Sequence, residues 1–266
     1  MLSISPLLTR GLLHFESRAF ALSERRIGLL ELLHTMIKAL LLDFNGVIID
    51  DEPIQMRAYQ EMLAHENIAL TDEDYFSSLG MDDRTFVEAA FKRANREPET
   101  NKVLEIMQGK SQKWREIVSD DVPLFENVEN FIRKMAKDFA LGMVSMAGRA
   151  DILYILERTG LTDCFEIVVT AEDVKKCKPD PECYRIGFSQ LDRARTNKGH
   201  LPMIHSECVV IEDSPPGVQA GKAAGLPVLG VTNTVDAEKL RAAGADWTAR
   251  DLDDWMPESF RRVFAS

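Results

Sequence analysis

Short runs of apolar residues alternate along the chain with amphipathic segments, and this alternation predicts the main elements of the fold. Continuously apolar runs that end in polar or small residues are typical of strands buried on both faces of a parallel sheet. Five runs fit: Ala39–Phe44, Phe139–Val144, Glu166–Thr170, Cys208–Ile211 and Pro227–Val231. Five helical segments follow or separate them: Val128–Lys137, Ala150–Arg158, Pro181–Arg195, Pro216–Ala224 and Asp236–Ala243. The alternation predicts an α/β fold with a Rossmann-like, doubly wound parallel sheet, whose active residues follow the carboxyl ends of the strands.

The pattern changes between residues 55 and 126, where amphipathic helices follow one another with no strand signal between them. The clearest are Met56–His65, Arg84–Arg96 and Lys102–Val118. Gly80 predicts a loop between two of these helices. An all-helical insert after the first strand indicates a cap over the carboxyl edge of the sheet. We therefore expect a core domain of residues 36–54 and 127–266, and a helical cap domain of residues 55–126.

Residues 1–35 carry scattered leucines and four arginines, but no short charged start followed by a continuous apolar stretch. A signal peptide is therefore poorly supported. We interpret this part as an N-terminal extension, either a loosely attached helix or the product of a start codon upstream of Met36. A helix that binds a partner or a targeting receptor is the alternative.

Composition narrows the functional classes. The 266 residues are 45% hydrophobic and 28% charged, as expected of a folded protein with a sizeable core. No uncharged apolar run approaches the roughly 18 residues that a membrane span needs, and the net charge of -11 argues against nucleic acid as a partner. The four cysteines and five histidines form no zinc pattern. We expect a cytoplasmic monomer or weak dimer with reduced thiols.

Carboxylates follow two of the predicted strands. Asp43 ends the first strand, and Glu212 and Asp213 end the fourth. A buried acid is costly unless it is solvated, paired or bound to a metal. Adjacent strands that deliver carboxylates to one edge favour a hard cation such as Mg²⁺, which prefers oxygen ligands. Gly46 permits a tight turn just after Asp43.

A hydroxyl and a lysine are predicted at the same edge. Ser145 follows the strand that ends at Val144, and Lys178 lies in a proline-stiffened segment. A fixed ammonium beside carboxylates can neutralise an incoming phosphoryl group. Taken singly, Ser145 fits a helix cap and Lys178 a solvated side chain equally well. The combination makes the functional interpretation stronger.

In this order, the motifs resemble the haloacid dehalogenase superfamily, in the branch of β-phosphoglucomutase-like and phosphoglycolate-phosphatase-like proteins with a helical cap. The matching motifs are DFNGV around Asp43, VSMAG around Ser145, KPDP at Lys178 and EDSPPG at Glu212–Asp213. The resemblance covers Met36 to about Ala265. It is specific for the superfamily but not for the substrate.

The resemblance implies a role for each motif residue. Asp43 would attack phosphorus and form an aspartyl phosphate. Mg²⁺ would be held by Asp43, the backbone carbonyl of Asn45 and Asp213, with Glu212 near the ion or linked through water. Lys178 and Ser145 would contact phosphoryl oxygens.

The remaining substrate contacts are less specific. By the same resemblance, Gly46 and Met146 would lie beside the phosphoryl group. Arg84 or Arg149 could contact a substrate anion, although a surface or helix-end charge explains each of them better. A metal, one lysine and oriented amides would let an acidic protein bind phosphate.

Asn45 departs from the family pattern, which has an aspartate here as general acid and base. An amide cannot shuttle a proton at neutral pH, and general acid–base help is typically worth about 10²–10⁴-fold in rate. Asn45 could be native to a subgroup that uses another acid or favours a good leaving group. It could be a change introduced to trap an intermediate, or the sign of a degraded enzyme that only binds its ligand. Asp51 or Glu52 could supply part of the proton transfer, or form a solvated turn at the hinge to the cap.

Two further departures limit the substrate. Gln55 replaces a histidine common in relatives, and Leu79 replaces the lysine of the sugar-phosphate mutase, so the cap lacks that cation. The loss of both this lysine and the aspartate at position 45 counts against a mutase, and Leu79 also counts against phosphonate hydrolysis through a Schiff base. Dehalogenation through Asp43 is formally possible, but the acidic pair favours a metal. We expect a Mg²⁺-dependent phosphatase for a small phosphorylated metabolite, with a weakly catalytic binding protein as the alternative.

Overall fold

A computed structural model describes residues 36–264. The predicted extension, residues 1–35, lies outside the described residues. The core is a six-stranded sheet with the order β3-β2-β1-β4-β5-β6, and every neighbouring pair is parallel. The strands are β1 (Ala39–Leu42), β2 (Ala140–Val144), β3 (Ile167–Val169), β4 (Cys208–Glu212), β5 (Val228–Val231) and β6 (Trp247–Ala249). The expected α/β fold with a doubly wound parallel sheet is therefore confirmed.

Within residues 36–264, ten α-helices accompany the sheet. Four lie between β1 and β2: α1 (Glu52–Ala64), α2 (Asp72–Phe76), α3 (Asp83–Arg93) and α4 (Thr100–Val118). Six belong to the rest of the chain: α5 (Val128–Met135), α6 (Arg149–Thr159), α7 (Glu182–Asn197), α8 (Pro215–Ala223), α9 (Ala237–Ala243) and α10 (Pro257–Phe264). The sequence pattern predicted the positions of eight; α2, α10 and strand β6 were missed. Each helix of residues 36–264 is too short or too polar to cross a membrane.

Two hydrophobic layers cover the sheet. Side chains alternate along a strand, so Leu40 and Leu42 face one layer while Ala39 and Leu41 face the other. Helices α5, α6 and α10 supply the first layer, and α7, α8 and α9 supply the second. Apolar side chains therefore cover both faces of the sheet, and the polar side chains of the site lie at the ends of its strands.

The helices between β1 and β2 pack around a hydrophobic cluster of their own. Tyr59 and Leu63 of α1 meet Phe86 of α3 and Val103 and Ile106 of α4 in this cluster. Helix α1 begins at Glu52, four residues earlier than predicted, with a proline in its first turn. Gly80 has a φ of +83° in the link between α2 and α3, where the sequence predicted a loop.

Candidate active site

The candidate site lies at the carboxyl edge of the three central strands. Asp43 directly follows β1, Ser145 follows β2, and Glu212 and Asp213 lie at the end of β4. Because β1 lies between β2 and β4 in the sheet, these side chains are brought to one place. The backbone amide of Asp43 donates to the Ile211 carbonyl at 3.0 Å, which ties the two strand ends together.

Lys178 joins the two strand ends through its ammonium group. Its Nζ lies 2.8 Å from Asp43 Oδ2 and 2.6 Å from Glu212 Oε1. Burial by itself lowers the pKa of Lys178, but the two carboxylates outweigh this effect and raise it, so the side chain stays charged. The structure thus brings Lys178 together with two of the carboxylates.

Glu212 has every acceptor position occupied. Its Oε1 accepts from Lys178 and from the Tyr184 hydroxyl at 2.9 Å, and its Oε2 accepts from the Ser214 hydroxyl at 3.0 Å and from two backbone amides. Burial raises the pKa of Glu212, but Lys178 and these donors outweigh it and lower the pKa overall. Glu212 therefore orients Lys178. Tyr184, on α7, was not identified from the sequence.

Asp213 is pressed against the turn that follows β1. A Cβ added to Gly46, where φ is +73°, would lie 1.9 Å from Asp213 Oδ2, so only glycine fits. Burial raises the pKa of Asp213, and the negative charges of Glu212, Asp43 and Glu52 raise it further. Asp43, Glu212 and Asp213 offer oxygens within 4.8 Å of one another. Such a crowd of buried carboxylates fits a divalent cation.

Asn45 is held by a buried carboxylate six residues further on. Its Nδ2 donates to Asp51 Oδ1 at 2.9 Å and to Oδ2 at 3.0 Å. Asp51 Oδ2 also accepts from Gln55 Nε2 at 2.8 Å and from Trp114 Nε1 at 2.7 Å. Asp51 is fully buried, so the interpretation of this residue as a solvated turn is wrong. Burial raises its pKa, and the three donors oppose the rise.

A cavity of about 100 Å³ opens between this edge and the inserted helices. The predicted residues Asp43, Asn45, Ser145, Met146 and Lys178 line it. Ser145 Oγ accepts from the Ala147 amide at 3.1 Å, which orients the hydroxyl.

The insert contributes polar and aromatic groups to this cavity. Lys110, on α4, lies 3.0 Å from Asp83 Oδ1 and 5.1 Å from the centre of the Tyr59 ring. Asp83 also accepts from the Tyr59 hydroxyl. The sequence comparison with the mutase concerned only the lysine that Leu79 replaces; Leu79 and Lys110 both line the cavity, so the insert places a different lysine there. Periodicity assigned Lys110 to a helix and gave no sign that the side chain is buried.

Glu52 and Gln55 line the cavity from the first turn of α1. Glu52 accepts a hydrogen bond from the Tyr75 hydroxyl. Burial, together with the charge of Asp51, raises the pKa of Glu52 to about 7. Gln55 donates to Asp51, while its buried Oε1 has no hydrogen-bond partner among residues 36–264. The wall formed by α1 therefore offers a titratable acid and an unpaired acceptor to a ligand.

The two arginines predicted to contact a substrate do not line the cavity. Arg84 is half-exposed, and its Nη1 lies 3.9 Å from Glu88. Arg149 pairs with Asp173, and its backbone amide donates to Glu172 at 3.0 Å. Both arginines are satisfied by neighbours outside the cavity, as their alternative interpretation as surface or helix-end charges predicted.

A latch of three residues joins the insert to the core on the far side of α4. Ser111 Oγ donates to Asp151 Oδ1 at 2.9 Å, and Arg115 Nε lies 2.7 Å from the same oxygen. Asp151 belongs to α6 in the core, and its side chain is largely buried. The latch therefore holds α4 over the core beside the cavity.

Residues 40–231 match the family model described as haloacid dehalogenase-like hydrolase. The chain is 25% identical over 212 residues to a phosphorylated carbohydrates phosphatase of Thermotoga maritima, covering 79% of this chain and 92% of that protein. It is 27% identical to a fructose-1-phosphate phosphatase of Escherichia coli, covering 72% and 95% of the two chains. The crystal structure of a β-phosphoglucomutase from Clostridium difficile superposes with a TM-score of 0.74 at 18% identity, covering 86% and 97%.

Proposed function

The chain belongs to the haloacid dehalogenase-like hydrolase family, and from this membership we propose that it is a Mg²⁺-dependent phosphatase of small phosphomonoesters. The observation that carries the proposal is the Lys178 ammonium fixed 2.8 Å from Asp43, in a carboxylate cluster that lines a cavity beneath the inserted helices. A cation beside a carboxylate nucleophile is what an incoming phosphate dianion requires.

Asp43 is the proposed nucleophile. Its Oδ2 pairs with Lys178 and its Oδ1 accepts from the Phe44 amide at 2.8 Å, so the carboxylate is oriented at the cavity wall. A bond forms between an Asp43 oxygen and phosphorus while the bond from phosphorus to the leaving oxygen breaks. Water then attacks phosphorus and releases the Asp43 carboxylate together with inorganic phosphate.

Magnesium is the proposed metal because the donor set is made only of carboxylate and carbonyl oxygens. Asp43 and Asp213 would hold it, together with the backbone carbonyl of Asn45. Glu212 acts through Lys178 in this proposal, since its oxygens already accept five hydrogen bonds. The bound ion would offset the charge of the phosphoryl oxygens.

Glu52 is the proposed proton-transfer group, because the Asn45 amide cannot transfer a proton. It lines the same cavity, and its pKa of about 7 suits both proton donation and proton acceptance. Protonated Glu52 would give its proton to the leaving oxygen. The resulting carboxylate would take a proton from the attacking water.

The proposed substrate is a phosphomonoester with a neutral, hydroxyl-rich body. Asp83 neutralises the charge of Lys110, so the insert does not present a free cation to a second phosphate. Gln55 Oε1 is a buried acceptor that a substrate hydroxyl can satisfy. The names of the Thermotoga and Escherichia coli relatives, both phosphatases of sugar phosphates, support this substrate class. We propose that residues 55–126 act as the cap that closes over it.

The test is turnover of p-nitrophenyl phosphate and a panel of sugar monophosphates, with Mg²⁺ and with a chelator. Turnover should require Mg²⁺ and disappear in Asp43→Asn. Asp120→Asn is the matched control, because it makes the same change at an exposed aspartate. Absence of turnover with every substrate, beside intact Mg²⁺ and phosphate binding, would instead support the binding protein that Asn45 suggests. Conversion of β-glucose 1-phosphate to the 6-phosphate would support the mutase.

A further inference from the structure

Asp51 is a buried carboxylate that accepts hydrogen bonds from three other side chains. It is fully buried, and it accepts from three side chains that come from three places: Asn45 after β1, Gln55 in α1 and Trp114 in α4. Asp51 precedes Glu52, the first residue of α1, yet its side chain makes no capping bond to the helix, because both oxygens are taken by these donors. The side chain therefore links Asn45 to α1 and α4 and does not cap α1.

The hydrogen bonds between Asp51 and Asn45 determine which end of the Asn45 amide can contact a ligand in the cavity. An amide has a donor end and an acceptor end. Both Asp51 oxygens accept from Asn45 Nδ2, at 2.9 and 3.0 Å, so the donor end is committed. The Asn45 oxygen is turned away from Asp51, and the residue lines the cavity. A carboxylate at position 51 thus leaves Asn45 as an acceptor.

We propose that Asp51 is a positioning residue that fixes Asn45 with its carbonyl oxygen toward the cavity, and that the two residues form a matched pair in which neither can be changed alone. This inference rests on the proposed phosphatase function and adds to it. The fixed oxygen accepts a hydrogen bond from the attacking water while the proton moves from that water to Glu52, or from the leaving alcohol once Glu52 has protonated it. Asn45 then has a role of its own together with Asp51, and it is not merely the loss of the aspartate that the family has at this position.

The geometry predicts that Asn45→Asp fails by itself. In that variant two carboxylates face each other at about 3 Å, where a donor faced an acceptor, and like charges at this distance repel. The reciprocal swap, Asn45→Asp with Asp51→Asn, avoids the conflict. Asp51 Oδ1 contacts Asn45 alone, while Oδ2 also accepts from Gln55 and Trp114. Replacing Oδ1 with an amide nitrogen therefore keeps the bonds to Gln55 and Trp114 and reverses the bond to position 45.

The test is a double-mutant cycle on kcat for p-nitrophenyl phosphate and for a sugar phosphate, whose leaving group is poorer. We expect Asn45→Asp to give no gain and the swap to exceed it at least tenfold, most clearly with the sugar phosphate. Asp51→Asn alone should lower kcat, because the Asn45 amide is then free to turn its donor end to the cavity. Asp120→Asn, at an exposed residue that follows α4, removes the same charge and should leave kcat unchanged.

Urea unfolding of the same variants tests the pair without any turnover. Asn45→Asp should raise the unfolding equilibrium constant about tenfold or more, since a hydrogen bond to a charged group is lost. The swap should return it to within about threefold of the wild type. If Asn45→Asp alone gains as much activity as the swap, or if the stability effects of the two changes simply add, the inference is overturned. If no variant turns over while the stability effects still couple, the proposed phosphatase fails and the pairing stands.

Discussion

Gly46→Ala is the most direct perturbation of the proposed magnesium site. The added Cβ would meet Asp213 Oδ2 at 1.9 Å and Thr234 Oγ1 at 2.8 Å, whereas Cβ contacts below 3.0 Å essentially never occur. The Asp213 carboxylate must therefore move by roughly 1 Å. A displacement of this size at a catalytic group can cost on the order of 10²-fold in rate.

Gly199→Ala provides the matched control for backbone strain. Gly46 and Gly199 both have positive φ values, +73° and +88°, and an alanine at either position pays roughly 1–2 kcal/mol for the left-handed backbone. A Cβ on Gly199 would have no neighbour within 4 Å, and this glycine is exposed. The difference between the two variants therefore isolates the collision with Asp213.

Two measurements check the prediction: urea unfolding, and turnover of p-nitrophenyl phosphate as a function of Mg²⁺ concentration. Gly199→Ala should lose about 1–2 kcal/mol of stability and keep its kcat and its Mg²⁺ dependence. Gly46→Ala should lose at least as much stability, need more Mg²⁺ and fall about 10²-fold in kcat. Wild-type kcat and Mg²⁺ dependence in Gly46→Ala would refute the idea that close contact with Gly46 places the Asp213 carboxylate.

Three further predictions test the surroundings of the site. The raised pKa of Glu52 means that the folded protein binds this proton more tightly than the unfolded chain, so metal-free stability should fall as the pH rises from 4.5 to about 7, with about 3 kcal/mol coming from Glu52. A pH series of urea unfolding in Glu52→Gln should show a smaller slope, the rest coming from Asp43, and kcat should drop about 10²-fold. Lys178→Met leaves two buried carboxylates without their cation, so the free energy of unfolding should fall by about 3–5 kcal/mol; a loss below 1 kcal/mol would contradict the pairing. Asp151→Asn weakens the ion pair between Asp151 and the half-exposed Arg115, so the free energy of unfolding in urea should change by less than about 1 kcal/mol. If the insert closes over the substrate, the same variant should show a severalfold higher KM in steady-state kinetics.

The sheet and its carboxyl edge were predictable because their signals are local. A buried parallel strand must be continuously apolar, and Asp43, Ser145 and Glu212 appear where such runs end. Strand β6 was missed because its three residues, Trp247–Ala249, form no continuous apolar run: the middle residue is a threonine, and the tryptophan is half-exposed. Where one face meets solvent, the apolar run that identifies a buried strand is absent.

The contacts of the site could not be predicted where they depend on residues far apart in the chain. Tyr184 reaches Glu212 across 28 positions, and Trp114 reaches Asp51 across 63. No periodicity encodes such a meeting, since each side chain also fits an ordinary buried position on its own helix. The sequence identified Asp51 as an unusual residue, but only the structure shows that its carboxylate accepts hydrogen bonds from Asn45.

The central position of β1 has a consequence for how this protein is made. Ala39 pairs with Ala140 and with Cys208, which lie 101 and 169 positions later in the chain. At roughly 5–20 residues per second, a ribosome needs on the order of 10–30 s to deliver the second partner. During that time the Ala39–Leu42 strand is without its sheet neighbours, whereas α1 and α4 can already pack on each other. We therefore expect the insert to fold first on the nascent chain, while the apolar first strand remains the segment most dependent on protection from aggregation.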